Sequence, residues 1–294
     1  MPTIRQLEYL VALDEEKHFA RAAERCHVSQ PTLSMQLLSL EERLGAKLIE
    51  RRKKETLLTP LGAQVLTKAQ AILQNRDEIR QLCKSAEKPM ATPIVLGAIP
   101  TIAPYYMPQL LPQIQKEFPE LKLYLKEEQT AVLLESLHKG LVDVALLALP
   151  TGDKRLAEAF VFDEPFVVAL PGSHALLNKK VLTVEDVTAT NLMLLEEGHC
   201  LRDQALDVCH MTTAQGDVDF KASSLETLKQ MVAQGLGVTL LPQKAVRKGD
   251  GYAVREFASG NPHRRIGLVW RKSNPRTKEF KLLADTVKNI LSTS

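Results

Sequence analysis

Between Phe19 and Leu44 the apolar side chains recur every three or four residues, the period of an α-helix, with one polar interruption at "CHVSQ". The pattern predicts a helix, a tight turn and a second helix. Ala22 and Ala23 are small enough for the second helix to cross closely. Ser29 can accept a free backbone N–H at the second helix start, and Pro31 is tolerated in the first turn, so that helix should begin at about Gln30. Within it Leu33, Leu37, Leu40 and Leu44 should face the core, leaving Pro31, Thr32, Ser34, Met35 and Leu38 outward. "LIERRKKETLLTP" predicts two short strands around a basic tip. Thr59 and Pro60 then open a long helix, whose Leu61, Val65, Ala69, Ile72, Ile79 and Cys83 form one stripe suited to pairing with a second copy of the chain. Two prolines in "SAEKPMATP" mark a linker.

From Ile94 the period alternates between strand and helix: "IVLGAI", "PTIAPYYMPQLLPQIQKEFP", "LKLYLKEEQ", "TAVLLESLHKG" ending on Gly140, and "DVALLAL". A second set starts near Pro165 with "FVVALPG", continues through "NLMLLEEGHC" as a strand, and closes with "SSLETLKQMVAQGLGVTLLP", where Ser223 and Glu226 could form a capping box and Gly235 a C-cap. Alternation of this kind implies parallel sheet with helices on its faces. The last segment, "IGLVWR" and its helix, should return to the first half.

Composition keeps the chain among ordinary globular proteins, with 45% hydrophobic and 25% charged residues. The amino terminus lacks the basic and apolar regions of a signal peptide, and no apolar run approaches bilayer length, so a soluble, cytoplasmic protein without a membrane partner is expected. Four cysteines are too few for a secreted disulfide scaffold. The net charge of +3 lies wholly in residues 1–90, which carry 15 Lys and Arg against 12 Asp and Glu, while residues 91–294 carry 23 against 23. Much of the excess is Arg43, Lys47, Arg51, Arg52, Lys53 and Lys54, faced only by Glu50. Clustered cations beside a helical hairpin point to a polyanion. The expected contacts with double-stranded DNA are Ser29, Gln30, Pro31, Thr32, Ser34 and Met35 on the second helix, with Arg51, Arg52 and Lys53 reaching backbone phosphate.

"FARAAERCHVSQPTLSMQLLSLEERLG" followed by "LIERRKKETLLTPLG" resembles the amino-terminal winged helix-turn-helix of LysR-type transcriptional regulators. The resemblance implies a fold that is α+β overall: a winged helix-turn-helix domain over residues 1–59, a linker and dimerisation helix with hinge over 60–91, and an α/β regulatory domain over 92–294. That domain would have two Rossmann-like halves related in form to periplasmic binding proteins, 92–164 with 268–294 and 165–267. The resemblance also implies a homodimer, usually assembled into a homotetramer.

Ligands of open α/β sheets bind beyond the carboxyl ends of the strands. Thr101, Thr130 and the pair His199 and Cys200 follow such strands and could meet in the cleft, although each threonine could equally serve as an N-cap. Cys200 and Cys209 flank a helix-like segment, "CLRDQALDVC". Nine positions of helix separate them by about 13 Å and turn them to opposite faces, whereas a disulfide needs Cα atoms within about 7 Å. Such a bond suits a switch rather than a staple. The helix start favours a thiolate at Cys200, with His199 and Arg202 nearby and Glu196 and Glu197 opposing it. A sulfenic acid there could condense with Cys209. Cys26 and Cys83 read as packed apolar thiols.

"GHCLRDQALDVC" with "AIPTIAPY", "EEQT" and "SLETLKQMVA" is similar to the hydrogen-peroxide-sensing members of the same family. That likeness implies Cys200 as the sensing thiol, Cys209 as its partner, and Thr101, Thr130 and His199 positioning hydrogen peroxide. It also implies an arginine beside the last strand, Arg264 in preference to Arg265. A glutaredoxin- or thioredoxin-type reductant and RNA polymerase would be partners. A metabolic enzyme is not expected, since the chain has no Walker A loop and no G-x-G-x-x-G after a strand, and no cofactor is expected. Two other readings stay open: a soft-metal sensor using His199, Cys200, Cys209 and His210, and a regulator whose cleft takes an organic effector.

Overall fold

Thr3 begins the first helix, α1 (Ile4–Glu16), with a reciprocal cap: its hydroxyl accepts from the Gln6 N–H, while the Gln6 side chain accepts from the Thr3 N–H. α2 (Phe19–Arg25) and α3 (Gln30–Leu44) follow. Ser29 caps α3 by accepting from the Thr32 N–H, and Gly45 ends it in the left-handed region at φ +65°. The computed structural model describes residues 1–51, 56–209, 222–247, 249–258 and 262–292. It divides into two units, Met1–Cys83 and Lys84–Ser294.

In the first unit, Leu10, Ala22, Leu33, Leu37, Leu40 and Leu48 are buried at one centre. Leu44, expected among them, is exposed. The chain turns away at Gly45, and Leu44 instead lines an apolar groove of about 500 Å³ with Pro2, Ile4, Leu7, Leu61 and Val65. β1 (Ile49–Arg51) pairs antiparallel with β2 (Thr56–Leu58). Buried Glu41 organises their base: one carboxylate oxygen accepts from the Leu48 and Ile49 amides and the other from Lys47. Burial would raise that carboxyl, but these three donors hold it below its ordinary value. Thr59 caps α4 (Pro60–Glu87) through the Gly62 N–H. A side-chain carbon at Gly62 would lie 2.1 Å from the Leu48 carbonyl oxygen, so only glycine lets the helix start this close to the strand. Along α4 Ala69 is buried, while Leu61, Ile72 and Ile79 are exposed.

The second unit opens with β3 (Ile94–Ala98), α5 (Ala103–Glu117), β4 (Leu123–Glu127), α6 (Thr130–Lys139) and β5 (Val144–Leu149). β3 pairs parallel with both β4 and β5, which accounts for the near-continuous apolar character of "VALLAL". β6 (Leu156–Pro171) is the long element shared by both halves. Its first part pairs with β10 (His263–Arg271), and its last six residues pair with β8 (Thr239–Pro242) and β9 (Tyr252–Phe257). Between them run β7 (Val181–Leu182), α7 (Val184–Thr188), α8 (Cys200–Val208) and α9 (Leu225–Ala233), and α10 (Thr277–Ser292) closes the described chain. The sheet order is β4-β3-β5-β10-β6-β9-β7, with β8 on β6. β10 is paired with Glu164 of β6 at Arg264 and with β5 at Arg265, so the return to the first half begins four residues before the expected 268.

Two local expectations fail. "NLMLL" makes only isolated parallel bridges, Leu192 to Val238 and Leu195 to Ala222, because its inward residues pack the second core without a continuous ladder. The cap of α9 is Ser224, which accepts from the Thr227 N–H, rather than Ser223, and Glu226 turns to the buried Lys229 instead of closing a box.

Candidate functional site

The first unit presents the amino end of α3. Ser29, Gln30, Pro31 and Met35 are exposed, Thr32 and Ser34 partly so, and the Ser29 and Thr32 hydroxyls lie 2.8 Å apart. Met35 is 64% exposed, although it sits between the buried Leu33 and Leu37. Arg51 ends β1. Arg52 and Lys53 lie outside the described residues, as does His210.

In the second unit α8 carries one thiol at each end, and the two ends sit in different cores. Cys200 packs against the first-half core, to which Ile102 and Leu133 belong, whereas Cys209 is buried in the second-half core. Burial pushes the Cys209 thiol up to about 11. Arg202 is directed to Glu197, at 3.8 Å.

Residues before α8 reach across the cleft. Gly198 holds φ +97°, and buried His199 places Nε2 3.3 Å from the amide nitrogen of Gln129 and 4.0 Å from Glu196. If Gln129 donates, His199 is the Nδ1–H tautomer. Gln129, not Thr130, is the N-cap of α6, and it makes no side-chain cap. Thr130 therefore does not serve as a cap; its Oγ1 is buried with no hydrogen-bond partner.

Thr101 does not cap either, since Ile102 holds that position before α5. Its hydroxyl oxygen instead accepts from Arg264 Nη1 at 2.8 Å, and its carbonyl from Nη2 at 2.9 Å. Arg264 grips Oε2 of Glu164 at 2.7 Å, and Glu164 is its paired residue on β6. The other Glu164 oxygen accepts from the Tyr106 hydroxyl at 2.7 Å. Thr101, Glu164 and Arg264 are each about 2% exposed. Arg265, its neighbour, is exposed and lies 5.0 Å over the Phe160 ring. Strand alternation separates the two arginines.

Sequence reasoning overlooked Glu164, Tyr106, Gln129 and Gln204. Gln204 lies one turn after Cys200 on the same helical face, and its Oε1 is buried without a partner. The i, i+4 spacing was the available signal. Glu164 could have been suspected as a carboxylate in a strand that is wholly apolar from the next residue on. The structure thus brings His199 to Gln129 beside Thr130, and Thr101 to Arg264, while Thr130 Oγ1 and Gln204 Oε1 are buried without partners. Among the described residues no three His, Cys, Asp or Glu side chains stand together as metal ligands.

The model for the bacterial regulatory helix-turn-helix protein of the lysR family matches residues 4–63, and that for the LysR substrate binding domain matches residues 88–292. The DNA-binding transcriptional dual regulator OxyR of Escherichia coli K12 is 41% identical over 288 residues, covering 97% of this chain and 94% of that one. A full-length cysteine-to-aspartate OxyR from Pseudomonas aeruginosa superimposes with a TM-score of 0.78 at 40% identity, covering 98% of each chain. An H2O2-bound cysteine-to-serine OxyR of Corynebacterium glutamicum gives 0.66 at 34% identity, covering all of this chain and 94% of that one. With both of its domains matched end to end, this chain belongs to the LysR family of DNA-binding transcriptional regulators and closely resembles OxyR within it.

Proposed function

We propose that this regulator senses hydrogen peroxide through Cys200, and that oxidation joins Cys200 to Cys209 within one chain and changes transcription of antioxidant genes. The observation that carries the reading is the condition of the two threonine hydroxyls: Arg264 occupies the acceptor side of Thr101, and Thr130 Oγ1 is buried with no partner. A buried polar atom left unpaired costs about 1–3 kcal/mol, which a bound peroxide would offset by donating and accepting there. The likeness to OxyR and to its peroxide-bound form supports the same ligand.

The chemistry balances without a cofactor. The Cys200 thiolate attacks one peroxide oxygen; an S–O bond forms, the O–O bond breaks, and sulfur gives up two electrons. The departing hydroxide takes up the proton released when the Cys200 thiol ionised and leaves as water. The Cys209 thiolate then attacks the sulfenic sulfur, forming S–S while a second hydroxide leaves and is protonated. Reset requires two electrons from a dithiol reductant of glutaredoxin or thioredoxin type by thiol–disulfide exchange. Thr101, Thr130 and His199 orient the peroxide, with Arg264 behind Thr101.

Output follows from the first unit. Ser29, Gln30, Pro31, Thr32, Ser34 and Met35 meet the major groove, and Arg51, Arg52 and Lys53 meet phosphate. The apolar groove lined by Leu44, Leu61 and Val65, continued by exposed Ile72 and Ile79, suits a second copy of the chain, and a dimer of such dimers would present two recognition pairs. As an activator of chromosomal genes it would act in the cytoplasm and contact RNA polymerase. The reading is tested by titrating reduced protein with peroxide and mapping thiols by mass spectrometry beside operator footprints. Loss of both thiols with a 200–209 linked peptide is expected, and Cys200→Ser should bind DNA but not respond. A Cys200 that stays reduced while the footprint changes would overturn it.

A further inference from the structure

Four buried residues form a hydrogen-bonded chain whose polar atoms have fixed roles. Tyr106 donates to one oxygen of Glu164, Arg264 donates to the other, and Arg264 also donates to the hydroxyl and the carbonyl of Thr101, five residues before Tyr106. A guanidinium has donors only, so the Thr101 oxygen must act as acceptor toward it. The hydroxyl hydrogen of Thr101 is then turned away from Arg264, and no described residue receives it. Its direction of donation is therefore built in.

We infer that Glu164, clamped by Tyr106, is a positioning residue that holds Arg264 against one lone pair of the Thr101 hydroxyl, so that its O–H is turned away from the guanidinium and toward the oxygen leaving peroxide, which it stabilises. The inference rests on the peroxide reading and deepens it. The geometry of the carboxylate carries the argument. Glu164 faces Arg264 as its antiparallel partner on the neighbouring strand, and the paired side chains are 2% and 0% exposed. The carboxylate occupies Nε and one face of Nη2, leaving Nη1 aimed at Thr101. Tyr106 fixes the plane of that carboxylate, and its ring is itself packed 4.8 Å from Phe162. As the O–O bond breaks, negative charge grows on the departing oxygen, and a preoriented donor in a dry site lowers the barrier more than one that must first turn. Attack of the same thiolate on an alkyl iodide releases iodide and does not use the donor.

This difference supplies the test. In full-length Cys209→Ser protein, where sulfenic acid is the end product, the rate of Cys200 loss to hydrogen peroxide is compared with its rate of alkylation by iodoacetamide across the neutral pH range. Glu164→Gln should lower the peroxide-to-iodoacetamide rate ratio about tenfold or more, and Tyr106→Phe about threefold, as expected for a displaced electrostatic donor. The fall must come from the peroxide rate: a ratio lowered only because alkylation rises, as collapse around Cys200 would cause, or both rates moving in proportion, would overturn the inference. If Glu164→Gln does not fold, Tyr106→Phe, which keeps the ion pair, decides alone, and a ratio equal to that of the parent protein overturns the positioning role. A parent protein whose Cys200 ignores peroxide would instead bring down the sensor reading, and this inference with it.

Discussion

A side-chain carbon at Gly198 would lie 2.5 Å from Oε1 of Gln129, across the cleft from it. Gly198 also holds φ +97°, a conformation that costs an L-residue roughly 1–2 kcal/mol. Gly198→Ala should therefore lower stability by about that amount, and the flexible Gln129 amide should swing away from His199 to relieve the contact. Urea unfolding and the rate of Cys200 oxidation by peroxide, measured together, check this. Slower oxidation with only a modest loss of stability is expected; unchanged oxidation would show that the Gln129 and His199 contact is incidental.

The two threonines should respond in opposite senses to the same substitution. Thr130→Val removes a buried hydroxyl that has no partner, so stability should hold or rise by about 1 kcal/mol. Thr101→Val strips Arg264 Nη1 of its acceptor inside the protein and should cost about 1–3 kcal/mol. Both should blunt peroxide oxidation of Cys200. Denaturation midpoints beside single-turnover oxidation rates separate the effects, and a destabilised Thr130→Val would mean that its hydroxyl is satisfied in the free protein.

The legible parts of this molecule were those set by local chemistry. Ser29 and Pro31 marked the start of α3 because capping and the missing proline N–H act within one turn, and Gly140 ended α6 for the same reason. Leu44 was misread because helical period shows which face is apolar, not what covers its last turn. "NLMLL" reads as a strand because apolar runs look alike whether or not a ladder forms. Of the site, both threonines and Cys200 are legible as residues after apolar runs and Cys209 by its spacing from Cys200, but the partners that decide their roles are not. Glu164 meets Arg264 only through strand register a hundred residues apart, and Gln129 meets Gly198 only across the cleft.

The buried thiol gives a pH dependence with a definite sign. Burial pushes Cys209 up to about 11, so at neutral pH about one molecule in ten thousand carries its thiolate in the reduced fold. Its alkylation should be slow near neutrality and should accelerate as pH rises toward 11. Because the folded value is raised, its stabilising contribution is fully present below the unfolded value of about 9 and is lost as pH climbs through 11. Mass-resolved alkylation of each cysteine against pH tests this, and rapid neutral modification of Cys209 in reduced protein would contradict it.

Recognition should divide into two mutant classes. Met35 is 64% exposed, so Met35→Ala should change stability by no more than about 0.5 kcal/mol while altering sequence preference. Replacing Arg52 or Lys53 should weaken binding to all sequences and flatten its salt dependence, since fewer counterions are released. Footprint titrations over a salt series distinguish the classes. A salt slope unchanged in Arg52→Ala would remove that residue from the phosphate contacts.

Oxidation should dismantle α8. Its ends are about 13 Å apart by helical rise, and a disulfide needs Cα atoms within about 7 Å, so the backbone between the thiols cannot stay helical once they are bonded. Each end is also held in place: Cys200 packs on the first core and Cys209 lies within the second. One anchor must fail, and the buried Cys209, a poor nucleophile while it remains protonated, gains both reach and reactivity by leaving its site. Sulfenic acid formation should therefore precede a slower step limited by unwinding, and Leu201, Ala205 and Leu206, all buried in the reduced form, must find new cover. Hydrogen exchange on reduced and oxidised protein, with Cys209→Ser as the control that stops at sulfenic acid, reads this directly. Protection across residues 201–208 should fall in the bonded form and stay in the control. Equal protection in all three, with the bond confirmed by mass, would mean that the thiols can meet without unwinding the helix and that the switch works some other way.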